Sequence, residues 1–303
     1  MPNTVDGRCD LADALSETAR VVSERLETAL PPPEGENARL HEAIRYGMLG
    51  GGKRVRPFLL RHSASVAGAD DENALHAALA LEMIHGYSLI HDDLPAMDDD
   101  ALRRGRPTCH LAFDEATAIL AGDSLLTLAF EWLADPRTHA NPSVRCEMIS
   151  GLALAAGSMG MVGGQAIDIA AETMTSVRPG LVTTLAQMKT AALIAFSCEA
   201  GAILAESSHE TRRALREFGA DTGLAFQITD DLLDAIGDEH ALGKAVGKDA
   251  GRGKSTFVSV LGIDGARQRA DDLIDRAIAK LEPFGSRADM LRKVARYVIT
   301  RTG

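Results

Sequence analysis

Apolar residues recur at helical spacing through nearly the whole chain, and the breaks in that pattern fall on proline and glycine. Residues 9–30 place Leu11, Leu15, Val22, Leu26 and Leu30 on or near one stripe and stop at Pro31-Pro32-Pro33. A second helix over roughly 36–48 stops at Gly50-Gly51-Gly52. Further helical stretches lie at about 57–68, 72–93, 113–133, 143–160, 179–204, 211–235, 256–282 and 287–300. Breakers separate them: Pro95, Gly105-Arg106-Pro107, Asp135-Pro136, Gly163-Gly164, Pro179-Gly180, the 237–253 loop and Pro283. No segment alternates polar and apolar residues well enough to be a strand. Aromatics are 4% of the chain, so the core must be built from Leu, Ala, Ile, Val and Met, a composition that favours helices. The expectation is one all-α domain over residues 1–303, a bundle of about ten main helices.

A net charge of −11 disfavours nucleic-acid binding and electrostatic docking on anionic lipid. It leaves anionic substrates open, because local basic clusters or a bound metal reverse the sign inside a site. The cysteines Cys9, Cys109, Cys146 and Cys198 form no CxxC pair, which fits a reducing, cytoplasmic setting. Asp6, Asp10 and Glu17, with no apolar run between them, give no secretory signal. The stretch Met148–Ile167 is uncharged for 20 residues but holds five glycines. It reads as a buried helix ending in a glycine-rich turn rather than a membrane span.

Two acidic clusters stand out. Five of the nine residues from Asp92 to Asp100 are acidic, and they follow the apolar run Ala77–Ile90. Carboxylates packed this closely repel one another unless a cation compensates them. Oxygen-only ligands select a hard ion, Mg²⁺ or Mn²⁺. The second cluster, Asp230-Asp231-Leu232-Leu233-Asp234, closes another apolar helix, and Gln227, Asp230 or Asp231, and Asp234 share one face. For each cluster taken singly, a solvated acidic face is the alternative.

Basic segments accompany both. Gly51-Gly52-Lys53-Arg54-Val55-Arg56-Pro57 offers a point charge at Lys53 and a bidentate fork at Arg56 for phosphate, and taken alone it reads rather as a basic loop pairing with surface acids. Arg103-Arg104-Gly105-Arg106 follows the first acidic cluster, where Arg106 could instead neutralise Asp98–Asp100. Lys244, Lys248 and Lys254 lie in a glycine-rich loop that fails the P-loop spacing and reads as a lid over an anion. Lys189-Thr190 sits mid-helix in an apolar stretch, where a snorkelling lysine is the alternative. Asp168 is read as a structural partner for a lysine or arginine. His85 stands nearly two turns before Asp92 on the same face, where a structural histidine is the alternative.

With both clusters, DDLPAMD at Asp92–Asp98 and DDLLD at Asp230–Asp234, the chain resembles the trans-prenyltransferase (polyprenyl synthetase) family, and within it the short-chain bacterial farnesyl diphosphate synthases. The resemblance runs from Tyr46-Gly47 to the last helix. It implies an all-α isoprenoid-synthase-type homodimer with a central cavity, condensing isopentenyl diphosphate with an allylic diphosphate. It also implies three Mg²⁺ ions, with Mn²⁺ as a substitute. Asp92 and Asp98 would hold two of them with Asp93 in support, and Asp230 the third, backed by Asp231 and Asp234. Arg103, Lys189, Lys244 and Lys254 would contact the allylic diphosphate. Lys53, Arg56, His85 and Arg104 would bind isopentenyl diphosphate, and Thr190 and Gln227 would face the allylic cation. Ala101, Thr229 and Val258 depart from common family residues without removing a metal or phosphate contact.

Such a site needs no side-chain base, which fits the lack of a nucleophile–base pair. Residues four and five positions before Asp92 lie one turn deeper, about 6–7.5 Å along the helix. They are Ser88 and Tyr87, and the resemblance makes Tyr87 the floor that limits the product to farnesyl diphosphate, with geranylgeranyl diphosphate as the alternative product. A terpene cyclase would not need Lys53, Arg56 and His85, and a non-catalytic subunit would be expected to lose an aspartate cluster.

Overall fold

The computed structural model describes residues 7–172, 174, 178–236 and 256–301. Backbone contacts divide it into two compact units. The first comprises the described residues up to Arg61 with Asp71–Arg145; the second comprises His62–Asp70 with the described residues from Cys146 onward.

In the first unit α1 (Gly7–Ala29), α2 (Ala38–Met48), α4 (Asp71–Asp92) and α6 (Glu115–Ala134) are the main helices, and α3 (Val55–Ala67) starts there. α4 is the centre. Asp71 and Glu72 in its first turn complement the positive end of the helix dipole. Beyond them its sides are apolar nearly all round, as a fully enclosed helix requires. Leu79, Leu81, Met83 and Ile84 are each 2% exposed or less, and burying each contributes about 1.5–3 kcal/mol. α4 packs on α6 and α2.

In the second unit α10 (Ala192–Leu204) and α11 (His209–Ile236) pack together, and α12 (Phe257–Lys280) lies along α11. α7 (Pro142–Ala156), α8 (Met161–Glu172), α9 (Pro179–Ala186) and α13 (Asp289–Thr300) complete the described helices, with α5 (Cys109–Ala112) a short turn in the first unit. Thr256 caps α12: its hydroxyl accepts from the Ser259 N–H, and Ser259 returns the bond to the Thr256 N–H.

Five expectations need correction. Gly163-Gly164 does not break the chain but lies inside α8. A Cβ on Gly164 would stand 2.6 Å from the Lys189 Cα, so the glycine serves a close backbone approach. The stretch 179–204 is not one regular helix; Gln187–Ala191 forms a π turn between α9 and α10. Phe113 lies outside α6, which begins after Asp114, whose carboxylate accepts from the Thr117 N–H at 2.8 Å. Leu102–Arg103 and Arg106–Pro107 pair as a minimal antiparallel ribbon, β1 and β2, where no strand is expected. Glu282–Ala288 is a 3-10 turn ahead of α13.

Three stretches, Glu115–Ala134, Pro142–Glu172 and Gly180–Leu204, are long and apolar enough to cross a membrane by length and composition alone. Part of that apolar surface is spent on the core, as at Leu125, Ala129 and Leu133.

The first unit also contains an acid-sensitive histidine. His76 is buried, stacks on Trp132 at 4.3 Å, and pairs Nδ1 with the Thr138 hydroxyl at 2.9 Å. Burial, and then the Arg137 charge, lowers its pKa from 6.5 to about 4, with Asp135 opposing. The folded state therefore refuses a proton that the unfolded chain accepts. Stability contributed by this group is full above pH 6.5, declines as pH falls, and is lost by about pH 4. Wild type should lose about 2–3 kcal/mol over that window that His76→Phe retains. Urea melts followed by Trp132, the sole tryptophan, measure it. Equal pH slopes for the two proteins would reject the assignment.

Candidate active site

α4 carries two chemically opposite groups of residues. At its C-terminal end the turn 93–98 folds back, with the Asp98 N–H donating to the Asp92 carbonyl at 2.8 Å. Asp92 and Asp98 thus spring from one turn, as their spacing suggests. Asp93 does not join them. It is buried and accepts from Arg103, Nε at 2.8 Å and Nη2 at 2.6 Å. Burial raises the Asp93 carboxyl's pKa overall, and the Arg103 fork opposes it. Burial also works against the Arg103 charge, but Asp93, with Asp92 and Asp100, raises the arginine's pKa overall. The β1–β2 ribbon aims this arginine: β1 ends on Arg103 and the tight turn puts Arg104 at φ +53°.

Two turns back on α4, His85 lies among arginines. Its pKa is well below the usual value, first from burial and then from Arg56, Arg104, Arg103 and Arg54. The ring is therefore neutral and can donate one hydrogen bond to an anion. Arg104 donates to the Gly51 carbonyl. Lys53 is exposed on the same basic loop. The four residues expected to share an anion, Lys53, Arg56, His85 and Arg104, are thus gathered around one loop and one helix. The Arg106 guanidinium stacks 4.2 Å over the Tyr46 ring.

Beneath the basic loop is a pair that sequence reading missed. Arg54, at φ +47°, turns inward and donates to Glu82 at 2.6 Å and to the Met48 carbonyl at 2.6 Å. Both side chains are 3% exposed or less. The available signal is Glu82 itself, a lone carboxylate between Leu81 and Met83 in an apolar helix, which requires a buried cation.

Tyr87 is buried, and its hydroxyl is pushed up to about 12 by burial and then by the Asp92 charge. Ser88 spends its hydroxyl on the His85 carbonyl at 2.9 Å.

In the second unit a polar relay crosses from the π turn to α12. Thr190 donates to Gln227 Oε1 at 2.7 Å, Gln227 Nε2 donates to Asp231 at 3.0 Å, and Asp231 accepts from the Phe257 N–H at 2.8 Å. Thr190 and Gln227 are thus brought together. Asp231 anchors the start of α12 and so supports its neighbours. π turns recur at functional sites because they re-aim side chains, and this one carries both Lys189 and Thr190. Lys189 pairs with Asp168, the structural partnership expected for Asp168. Asp230 pairs with Arg301 at 2.8 Å, and Arg301 also lies 3.9 Å over the Phe226 ring. No local signal links residues 71 positions apart. Asp234 is buried. Lys244 and Lys254 lie outside the described residues.

Among the described residues no three His, Cys, Asp or Glu side chains converge on one point. The Asp92/Asp98 donor set is all carboxylate, which suits a hard ion that takes one or two protein ligands and completes its shell with water and phosphate oxygen. The carboxylate donors therefore fit a hard divalent ion.

The family model for polyprenyl synthetase matches residues 37–295. The chain is 42% identical over 294 residues to a farnesyl diphosphate synthase of Haemophilus influenzae, covering 96% of this chain and 98% of that protein. It is 37% identical over 292 residues to a geranylgeranyl diphosphate synthase of Cyanophora paradoxa, covering 96% and 97%. A crystal structure of an FPP/GFPP synthase from Zymomonas mobilis superposes with a TM-score of 0.88 at 46% identity, covering 96% and 99%.

Proposed function

This chain belongs to the polyprenyl synthetase family, and from that membership we propose that it condenses isopentenyl diphosphate with dimethylallyl or geranyl diphosphate, releasing mainly farnesyl diphosphate. The observation that carries this reading is the pairing on α4. His85 stands seven residues before Asp92, about 10 Å along the helix axis, with arginines from α3 and the β1–β2 turn acting on it. The arginines around His85 thus make a metal-free basic seat for one diphosphate, and the C-terminal end of α4 an acidic, metal-dependent seat for another. A cyclase with a single diphosphate would have no use for the first.

Asp92 and Asp98 would hold Mg²⁺ on the allylic diphosphate, and Asp230 and Asp234 would hold a further ion. When bound, the ions would supply charge stabilisation to the departing diphosphate. The protein's own residues do the rest. Lys53, Arg56, Arg104 and neutral His85 fix isopentenyl diphosphate so that its double bond faces the allylic carbon. Arg103, held charged, and Lys189 with Lys244 and Lys254 grip the allylic diphosphate. The Thr190 hydroxyl and Gln227 carbonyl present oxygen lone pairs to the allylic cation, and the relay to Asp231 holds them in place.

The test incubates protein, Mg²⁺, isopentenyl diphosphate and each allylic diphosphate, then sizes the products. Condensation that stops with EDTA and returns with Mg²⁺ is the expected result; no condensation rejects the function.

A homodimer is part of the proposal. In α6 Leu120 is 53% exposed and Ile119 43%, apolar area that a partner copy would cover. Sedimentation should give twice the chain mass, and a monomer at micromolar concentration rejects it.

A further inference from the structure

The reading of Tyr87 as the floor of the product pocket leaves open what holds that floor in place. The answer lies between α4 and α6, in one residue from each. His91 follows Tyr87 by one helical turn, and the two rings meet edge to face, centroids 5.8 Å apart and planes at 75°. The far side of the imidazole faces α6. There His91 Nε2–H donates to the Ile119 carbonyl at 3.0 Å, a bond that fixes both the ring's orientation and its tautomer. Gly122, one turn further along α6, makes the room. A Cβ on Gly122 would come within 2.7 Å of three imidazole atoms, closer than any real carbon contact. The ring is therefore seated where only glycine allows it.

Resting on the floor reading of Tyr87, we propose that His91, seated by Gly122, is a wedge that keeps the Tyr87 ring from swinging toward α6, and so is a positioning residue for product length. Tyr87 is 6% exposed, so its ring has few places to go. The space between it and α6 is the one that His91 occupies. Remove the imidazole, and the tyrosine can turn into that space, deepening the pocket beneath Asp92. Place a methyl group on Gly122, and the imidazole is forced out of its seat, loses the Ile119 carbonyl, and no longer backs the tyrosine. Neither residue needs to touch substrate for this to work.

The prediction is a change in the ratio of products rather than in their amount. From isopentenyl and geranyl diphosphates, His91→Ala and Gly122→Ala should each raise the ratio of C20 and longer products to C15 by on the order of tenfold, the discrimination that small changes in an apolar pocket produce. Tyr87→Ala should raise it at least as much. The two wedge variants should not add: with the imidazole gone, the methyl at 122 has nothing to displace, so Gly122→Ala is silent in the His91→Ala background. A structural defect unrelated to the floor would lower total turnover and leave the ratio alone. If Tyr87→Ala lengthens the product while folded His91→Ala keeps the wild-type ratio, the wedge is overturned and the floor stands. If Tyr87→Ala leaves the ratio unchanged, both fall. Should Gly122→Ala fail to fold, His91→Ala, which only removes atoms, decides the matter alone.

Discussion

Glu82→Ala should lower the melting temperature by on the order of 10 °C and raise the KM for isopentenyl diphosphate more than the KM for the allylic substrate. The stability loss follows from what the mutation strands. Arg54 and Glu82 are both 3% exposed or less and 2.6 Å apart. Such a pair adds little net stability over an apolar one, because both charges lose their water. Removing one partner is different: a buried guanidinium left without its counter-charge costs about 3–5 kcal/mol. At 2–4 °C per kcal/mol for a large domain, that is roughly 10 °C. The kinetic part follows from position. Arg54 lies between Lys53 and Arg56, and its bonds to Glu82 and the Met48 carbonyl pin the backbone that presents both. A freed loop should hold the isopentenyl diphosphate less well and leave Asp92 and Asp98 untouched. Arg54→Met with Glu82→Leu should recover most of the lost stability, since it strands no charge, but not the KM. A Glu82→Ala protein that melts within 2 °C of wild type would show that the guanidinium finds water, and would remove the strut.

That strut marks where sequence reading stopped. The helices were legible because their apolar faces repeat with the helical period and end at proline or glycine, both local properties. The acidic and basic clusters were legible for the same reason: each is contiguous. What was not legible depends on which surfaces meet. Gly163-Gly164 looks like a break until the Lys189 backbone is seen lying against α8. The π turn at 187–191 has ordinary helix-forming residues, and only the packing around it shifts its hydrogen bonds. Asp93 and Asp231 read as supporting members of a run of aspartates, and the run does not disclose what each touches. The structure gives each a structural partner, Arg103 for one and the Phe257 N–H for the other. Arg301 is as far from Asp230 in sequence as a local reading can miss.

The division of labour between Asp92 and Asp93 is the sharper expectation for the site. The two are adjacent and chemically identical, yet Asp93 is buried and Asp92 is only half-buried. Asp92 shares the folded-back turn with Asp98, and Asp93 is clamped by Arg103. Asp92→Ala should therefore cut kcat by about three orders of magnitude, the loss expected when charge stabilisation of a leaving group is removed. Asp93→Ala strands Arg103 instead. It should melt several degrees lower, and its main kinetic change should be a higher KM for the allylic diphosphate, whose arginine has lost its anchor. Asp93→Asn, which still accepts from the fork, should restore part of the stability. The Mg²⁺ concentration giving half-maximal rate separates the two roles: it should rise steeply in Asp92→Ala and by less than about threefold in Asp93→Ala, a shift under 1 kcal/mol. Equal shifts in both would mean that Asp93 leaves Arg103 to bind metal when substrate arrives, and the two carboxylates would then have to be counted as one ligand set.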